Sequence, residues 1–155
     1  MMMNYSSIRV STTFFLTLLW SYAAIAKLLD PSLSLSQMRN QVFPNWMADV
    51  LAFALPFLEL LLVTLLLVKY TYKVGLYLST LLLTAFTLYI ILVKLLVFDR
   101  VPCSCGGVLS EMSWTQHLFF NLFFLALSIT AIYFEKLKHS PADAIAERRN
   151  MGNKT

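Results

Sequence analysis

Four long apolar segments dominate the sequence, and short polar stretches separate them. The segments run from about residue 10 to 29, 48 to 68, 74 to 98 and 114 to 134. An α-helix rises about 1.5 Å per residue, so each segment is long enough to cross roughly 30 Å of hydrocarbon. The pattern therefore predicts an all-α fold, an integral membrane bundle of four helices.

The composition also indicates a membrane protein. Of the 155 residues, 59% are hydrophobic and 13% are charged, whereas soluble domains carry about 25% charged residues. We expect one transmembrane domain over residues 1–138 and a polar cytoplasmic tail over 139–155. The net charge of +4 does not require a nucleic-acid partner, because the charged residues lie mainly between and after the apolar segments.

The distribution of basic residues predicts the orientation of the bundle. In a four-span arrangement only Arg39 and Arg100 fall in the loops on one side. The other side carries Arg9, Lys69, Lys73, Lys136, Lys138, Arg148, Arg149 and Lys154. By the positive-inside rule both termini are cytoplasmic. We expect a bacterial inner-membrane protein whose loop between the third and fourth spans faces the periplasm.

Two features near the N-terminus allow alternatives. Ala24-Ile25-Ala26 resembles a signal-peptidase site, and cleavage there would leave three spans; we favour four, because the apolar run is long. In the first outer loop Leu35, Met38, Val42 and Trp46 recur at helical spacing. This spacing suits a short amphipathic helix at the membrane surface, although an ordinary loop fits as well.

The loop between the third and fourth spans holds the two cysteines of the sequence, Cys103 and Cys105. Pro102 and the following glycines interrupt helical structure around them. A Cys-x-Cys disulfide closes a very small ring, and strained, exposed disulfides are the labile ones. A static clip over so short a segment would stabilise little, so we favour redox activity over that alternative.

The start of the fourth span supports this interpretation. Ser113 and Gln116 have the spacing of a capping box, with Ser113 as the N-cap. If the cysteine loop folds back over this helix start, the helix dipole would favour a thiolate. A copper site is a weaker alternative. It would combine Cys103 and Cys105 with Met112 and His117, but without a second cluster we predict no metal.

Charged and polar residues inside the spans are further candidates. Glu59 lies about midway along the second span, where a carboxylate needs a partner. Lys94 could turn toward it or extend outward, and Lys27 is a second candidate partner. Thr80, Thr84, Thr87 and Lys94 share a helical face that we expect to point into the bundle.

The fourth span carries a similar polar face, formed by His117, Asn121 and Ser128. His117 is one turn into this span and could exchange protons with a nearby thiol. Hydrogen bonding between helices is the alternative role for the polar residues in the spans, and we favour it for threonine and serine.

Three pieces of sequence together resemble the MauE/DoxX-like family of redox-associated membrane proteins, which is named for methylamine utilisation. They are Ala26-Lys27-Leu28-Leu29-Asp30-Pro31, Leu55-Pro56-Phe57-Leu58-Glu59-Leu60 and Pro102-Cys103-Ser104-Cys105-Gly106-Gly107. The family usually reads Cys-Gly-Cys-Phe-Gly, so Ser104 and Gly106 depart from it. The resemblance implies a four-helix bundle broadly like the quinone reductases of the DsbB and vitamin K epoxide reductase type.

The resemblance also implies work with a thioredoxin-like partner on the disulfides of exported proteins. Those reductases relay electrons between two cysteine pairs, and this chain has one pair. We therefore expect either a thiol–disulfide oxidoreductase that exchanges directly, or an accessory subunit. The alternatives are a non-enzymatic assembly or maturation factor and, less favoured, copper handling. A quinone near the outer helix ends fits the chemistry, but the sequence contains no motif for one. The oligomeric state is not predicted.

Overall fold

The computed structural model describes residues 5–95, 97 and 113–138 of the chain. These residues form five helices: α1 (Tyr5–Leu29), α2 (Pro31–Arg39), α3 (Asn45–Leu67), α4 (Tyr72–Lys94) and α5 (Trp114–Lys138). Within the described ranges there is no β-strand. Four helices are long and apolar enough to span a membrane, over Ser7–Leu29, Asn45–Leu67, Tyr72–Lys94 and Trp114–Leu137. The predicted all-α membrane fold is confirmed.

The four long helices form a bundle in which α1 and α4 each pack against both α3 and α5. The short helix α2 packs on α3 and α1. At one end of the bundle lie α2, the start of α3, the end of α4 and the start of α5; we call this the α2 end. The opposite end contains the tight turn between α3 and α4. Three helix boundaries differ from the predicted segments by four or five residues. The α1 helix begins at Tyr5, α5 extends to Lys138, and α4 ends at Lys94 although the apolar sequence continues.

The core of the bundle is apolar, with a few buried polar groups. Leu16, Leu62, Leu76 and Leu83 are at most 1% exposed. A hydrogen bond of 3.0 Å from Trp20 Nε1 to Ser79 Oγ joins α1 to α4 inside this core. Many large apolar side chains remain on the outer surface, among them Phe14, Val50, Phe53, Phe57, Leu81, Phe119 and Phe123. An apolar exterior of this kind suits contact with lipid.

The connection after α1 contains a short helix, so the helical alternative is correct for Leu35 and Met38, whereas Val42 lies after the end of α2. Asp30 is its N-cap, and its Oδ1 accepts a hydrogen bond of 2.9 Å from the Leu33 backbone N–H. Pro31, in the first turn, has no N–H that would need a partner. Met38 is buried against the first turns of α3. Trp46, by contrast, belongs to α3 and is 69% exposed.

The predicted capping box at the start of α5 is confirmed. Ser113 N donates to Gln116 Oε1 at 2.9 Å, and Gln116 N donates to Ser113 Oγ at 3.3 Å. Both bonds satisfy amide groups that have no partner within the helix. They fix where α5 begins, directly after the cysteine-containing segment.

The predicted inward polar face of α4 is only partly correct. Thr87 is buried and Thr80 is half-buried, but Thr84 and Lys94 are exposed. Each threonine hydroxyl donates to a carbonyl four residues earlier in α4, at 2.7 to 2.8 Å. These hydroxyls are therefore satisfied within their own helix, and the predicted bonding between helices is wrong for them.

Candidate functional site

A buried ion pair joins α1 to α3. Lys27 Nζ lies 2.7 Å from Glu59 Oε1, and the two side chains are 15% and 1% exposed. The same ammonium donates to the Ala23 carbonyl at 3.1 Å. Pro56 lies inside α3 almost one turn before Glu59, where its ring removes a helical hydrogen bond. The 2.7 Å contact identifies Lys27 as the partner of Glu59.

Lys94 does not reach Glu59; of the two alternatives predicted for this side chain, outward extension is the one found. Its Nζ donates a hydrogen bond of 2.7 Å to Thr115 Oγ1, in the first turn of α5. Lys94 is exposed at the end of α4, where its long side chain extends to the neighbouring helix. The bond brings the end of α4 and the start of α5 together at the α2 end.

The Lys27–Glu59 pair forms part of the wall of a cavity of about 360 Å³. All five helices, together with the α2–α3 connection, contribute to the lining. Seven aromatic side chains make up much of the wall: Trp20, Tyr22, Phe43, Phe86, Tyr89, Trp114 and Phe120. Two predicted polar residues of α5, His117 and Asn121, also line it. The structure thus brings Lys27, Glu59 and His117 together around one space.

Three polar atoms on the cavity wall lack a hydrogen-bond partner among the described residues. They are Glu59 Oε2, His117 Nδ1 and Asn121 Nδ2. Glu59 is 1% exposed and Asn121 is 5% exposed, so bulk water does not satisfy them. The wall can therefore both donate and accept hydrogen bonds within an apolar enclosure.

Aromatic side chains line the part of this cavity that lies nearest the α2 end. Tyr89 Oη donates to Gln41 Oε1 at 2.7 Å, and the Tyr89 ring stacks on Phe43 with centroids 5.3 Å apart. Trp114 meets the same tyrosine edge-on, with centroids 6.4 Å apart. Sequence reasoning missed Gln41 and Tyr89. The available signal was the helical spacing of Phe86, Tyr89 and Ile90, which is shared by ordinary core residues.

The cysteine pair lies outside the described residues, as does the thiol side of the predicted proton exchange with His117. The helices on either side are described: α4 leads into the segment at the α2 end, and α5 continues from it there. Within the described part of the chain no group of three or more His, Cys, Asp or Glu side chains could hold a metal ion. The copper hypothesis involves residues beyond that part.

Comparison with known proteins gives the family. A family model described as "Methylamine utilisation protein MauE" matches residues 5–134. The chain belongs to the MauE family. The match covers α1 to α4, most of α5 and the cysteine segment, so the resemblance noted from the sequence is confirmed. No curated protein and no solved structure matches the chain.

Proposed function

We propose that this MauE-family protein is a thiol–disulfide redox protein of the bacterial inner membrane. In this proposal Cys103 and Cys105 act on the periplasmic side, at the α2 end of the bundle. A thioredoxin-like protein is the partner, and the disulfides of exported proteins are the final product. The observation that carries the proposal is that α4, which precedes the cysteine segment in the chain, and α5, which follows it, meet at the α2 end, where Lys94 Nζ donates to Thr115 Oγ1.

The described residues support a reactive thiol in two ways. The capping box fixes the N-terminus of α5, and in this proposal the cysteine segment folds back over that helix start, where the helix dipole stabilises a thiolate. The Lys94–Thr115 bond holds the two ends of the segment at the same edge of the bundle. The distribution of basic residues along the sequence predicts that the opposite end of the bundle faces the cytoplasm.

The proposed chemistry is disulfide exchange. A partner thiolate attacks one sulfur of the Cys103–Cys105 disulfide, which forms a mixed disulfide and releases the other cysteine as a thiolate. The second partner thiolate then attacks the mixed disulfide. The partner gains a disulfide, and the cysteine pair of this chain is reduced by two electrons. The same steps in reverse would reduce the partner.

The family description suggests where the product is needed. Because the matching family is described by methylamine utilisation, we propose that proteins of that process depend on the exchange. The protein would act as the oxidoreductase itself or as a membrane subunit that completes the redox site of its partner. Both versions require a direct encounter between the cysteine pair and the partner.

Trapping of the mixed disulfide tests the proposal. Cys103→Ser and Cys105→Ser each leave one thiol, so an exchange intermediate that normally resolves should accumulate. We expect one variant to give a reducible conjugate with a periplasmic thioredoxin-fold protein. Ser104→Ala, which leaves both cysteines, is the matched control and should give none. No conjugate from either single variant, with function retained, would favour a non-enzymatic assembly factor instead.

A further inference from the structure

The wall of the central cavity is suited to an uncharged, flat molecule. Lys27 and Glu59 offset each other's charge at 2.7 Å, so the pair gives the site no net charge to attract an ion. Aromatic rings favour stacked or edge-on contact with another ring. The volume of about 360 Å³ is at the low end for ligand sites, which fits a ring with short substituents.

The unpartnered polar atoms narrow the chemistry further. Asn121 Nδ2 can only donate a hydrogen bond, whereas Glu59 Oε2 accepts one when ionised. His117 Nδ1 donates or accepts according to its tautomer. A hydrocarbon chain in the cavity would leave all three atoms unsatisfied, at a cost for each. A ligand with ring oxygens that accept hydrogen bonds in one state and donate them in another would satisfy them.

We propose that the cavity binds the ring of a lipid-soluble quinone, and that Glu59, His117 and Asn121 bond to its oxygens. Asn121 would donate to a carbonyl oxygen of the oxidised ring. Glu59 Oε2 would accept from a hydroxyl of the reduced ring. Such a site would bind both the quinone and the quinol. An electron acceptor that is used repeatedly passes through both states.

The redox role assigned to the quinone rests on the proposed function. Binding of the quinone in the cavity does not depend on it. Oxidation of the Cys103–Cys105 dithiol to a disulfide releases two electrons and two protons. Together these convert one quinone into one quinol, so the exchange balances without a second cysteine pair. Trp114 and His117, in the first turn of α5, line the cavity close to where the cysteine segment joins α5.

Tryptophan fluorescence can test binding directly. Trp20 and Trp114 line the cavity, whereas Trp46 is exposed on the outside. We would titrate the full chain carrying Trp46→Phe, in quinone-free lipid nanodiscs, with a short-chain ubiquinone. We expect saturable quenching of the two remaining tryptophans. The companion variant Trp20→Phe/Trp114→Phe keeps Trp46, and should show only the linear quenching of a quinone dissolved in lipid.

A pair of α5 variants tests the polar contacts. Asn121→Leu removes the unpartnered amide, and we expect its dissociation constant to rise about tenfold, as for loss of one hydrogen bond. Ser128→Ala is the control, because Ser128 is buried on the same face but bonds to Leu125 O and does not line the cavity. If Asn121→Leu and Ser128→Ala bound the quinone with equal affinity, the polar contact of Asn121 with the ring would be overturned.

The titration is repeated in the Cys103→Ser/Cys105→Ser chain, which cannot exchange disulfides. Saturable quenching there, without any trapped conjugate in the single variants, would keep the quinone site and remove the proposed function. If the quenching of Trp20 and Trp114 were linear and unsaturable, like that of Trp46, the quinone site would be overturned. A mixed disulfide trapped alongside that result would leave the proposed function standing.

Discussion

Lys27 and Glu59 form an ion pair across the α1–α3 interface, with Nζ 2.7 Å from Oε1 and the carboxylate side chain almost completely buried. Two charges taken out of water each lose several kcal/mol of hydration, and their attraction offsets that loss only while both are present. The pair therefore positions Glu59 on the cavity wall and makes each charge dependent on the other.

Removing one partner of this pair should be costly, and removing both should not be. We expect Lys27→Met to lower the free energy of unfolding by about 3–5 kcal/mol, because it leaves a buried carboxylate alone. The double variant Lys27→Met/Glu59→Leu should recover most of that loss. Unfolding in mixed detergent micelles, followed by circular dichroism, measures both.

The exposed pair between Arg39 and Asp49 provides the matched control for the buried pair. Its atoms are as close, at 2.6 Å, but the side chains are 50% and 40% exposed. Arg39→Met should therefore leave the unfolding transition where it is. If the double variant of the buried pair were as unstable as Lys27→Met alone, the mutual dependence of the charges would be wrong.

Gly75 allows α4 to approach α3 closely, and alanine there should destabilise the bundle. A Cβ at this position would lie 2.9 Å from Leu66 N and 3.0 Å from Leu65 C, which are backbone atoms that cannot turn aside. We expect Gly75→Ala to cost about 1–3 kcal/mol, as for other overpacked sites. Thr84→Ala, on the exposed face of the same helix, should unfold like the wild type in the same assay.

The start of α2 should depend on pH through Asp30. The hydrogen bond from Leu33 N, and then that from Ser32 Oγ, hold the pKa of this carboxyl below its ordinary value of 3.8. Its contribution to stability is therefore complete above pH 3.8 and is lost as the pH falls through the lower, folded-state pKa. Hydrogen-exchange protection factors for α2 measured between pH 5 and 2 should show this loss.

Asp30→Asn separates the charge from the cap. Asparagine keeps an oxygen that can accept from Leu33 N, but it does not titrate in this range. In that variant position 30 has no titrating carboxyl, so the loss of α2 protection that Asp30 causes at low pH should be absent. An identical acid dependence in both proteins would assign the loss to another group.

Helix positions could be predicted from the sequence, but which way the helices face could not. The four spans follow from segment length, and Ser113 with Gln116 marked the start of α5 because capping is a local interaction. Thr84 was placed in the interior wrongly. Lipid and protein core are both apolar, so hydropathy does not tell them apart, and a threonine hydroxyl can bond within its own helix.

The cavity depends on contacts that local spacing does not encode. Gln41 and Tyr89 are 48 positions apart in the sequence, and Lys27 and Glu59 are 32 apart. Lys27 and Lys94 were both reasonable partners for Glu59, since each is near the end of a span. Their three-dimensional positions decide between them: Lys27 reaches Glu59, while Lys94 bonds to Thr115 on α5.

The most direct test of the account is the accessibility of the cysteine pair from outside the cytoplasm. Intact cells, mildly reduced, would be treated with a membrane-impermeant maleimide. Lys69→Cys in a Cys103→Ser/Cys105→Ser background serves as the control, since Lys69 is exposed in the turn at the opposite end of the bundle. We predict that the native cysteines are labelled in intact cells and that Cys at position 69 is labelled only after permeabilisation. The reverse pattern would contradict the account.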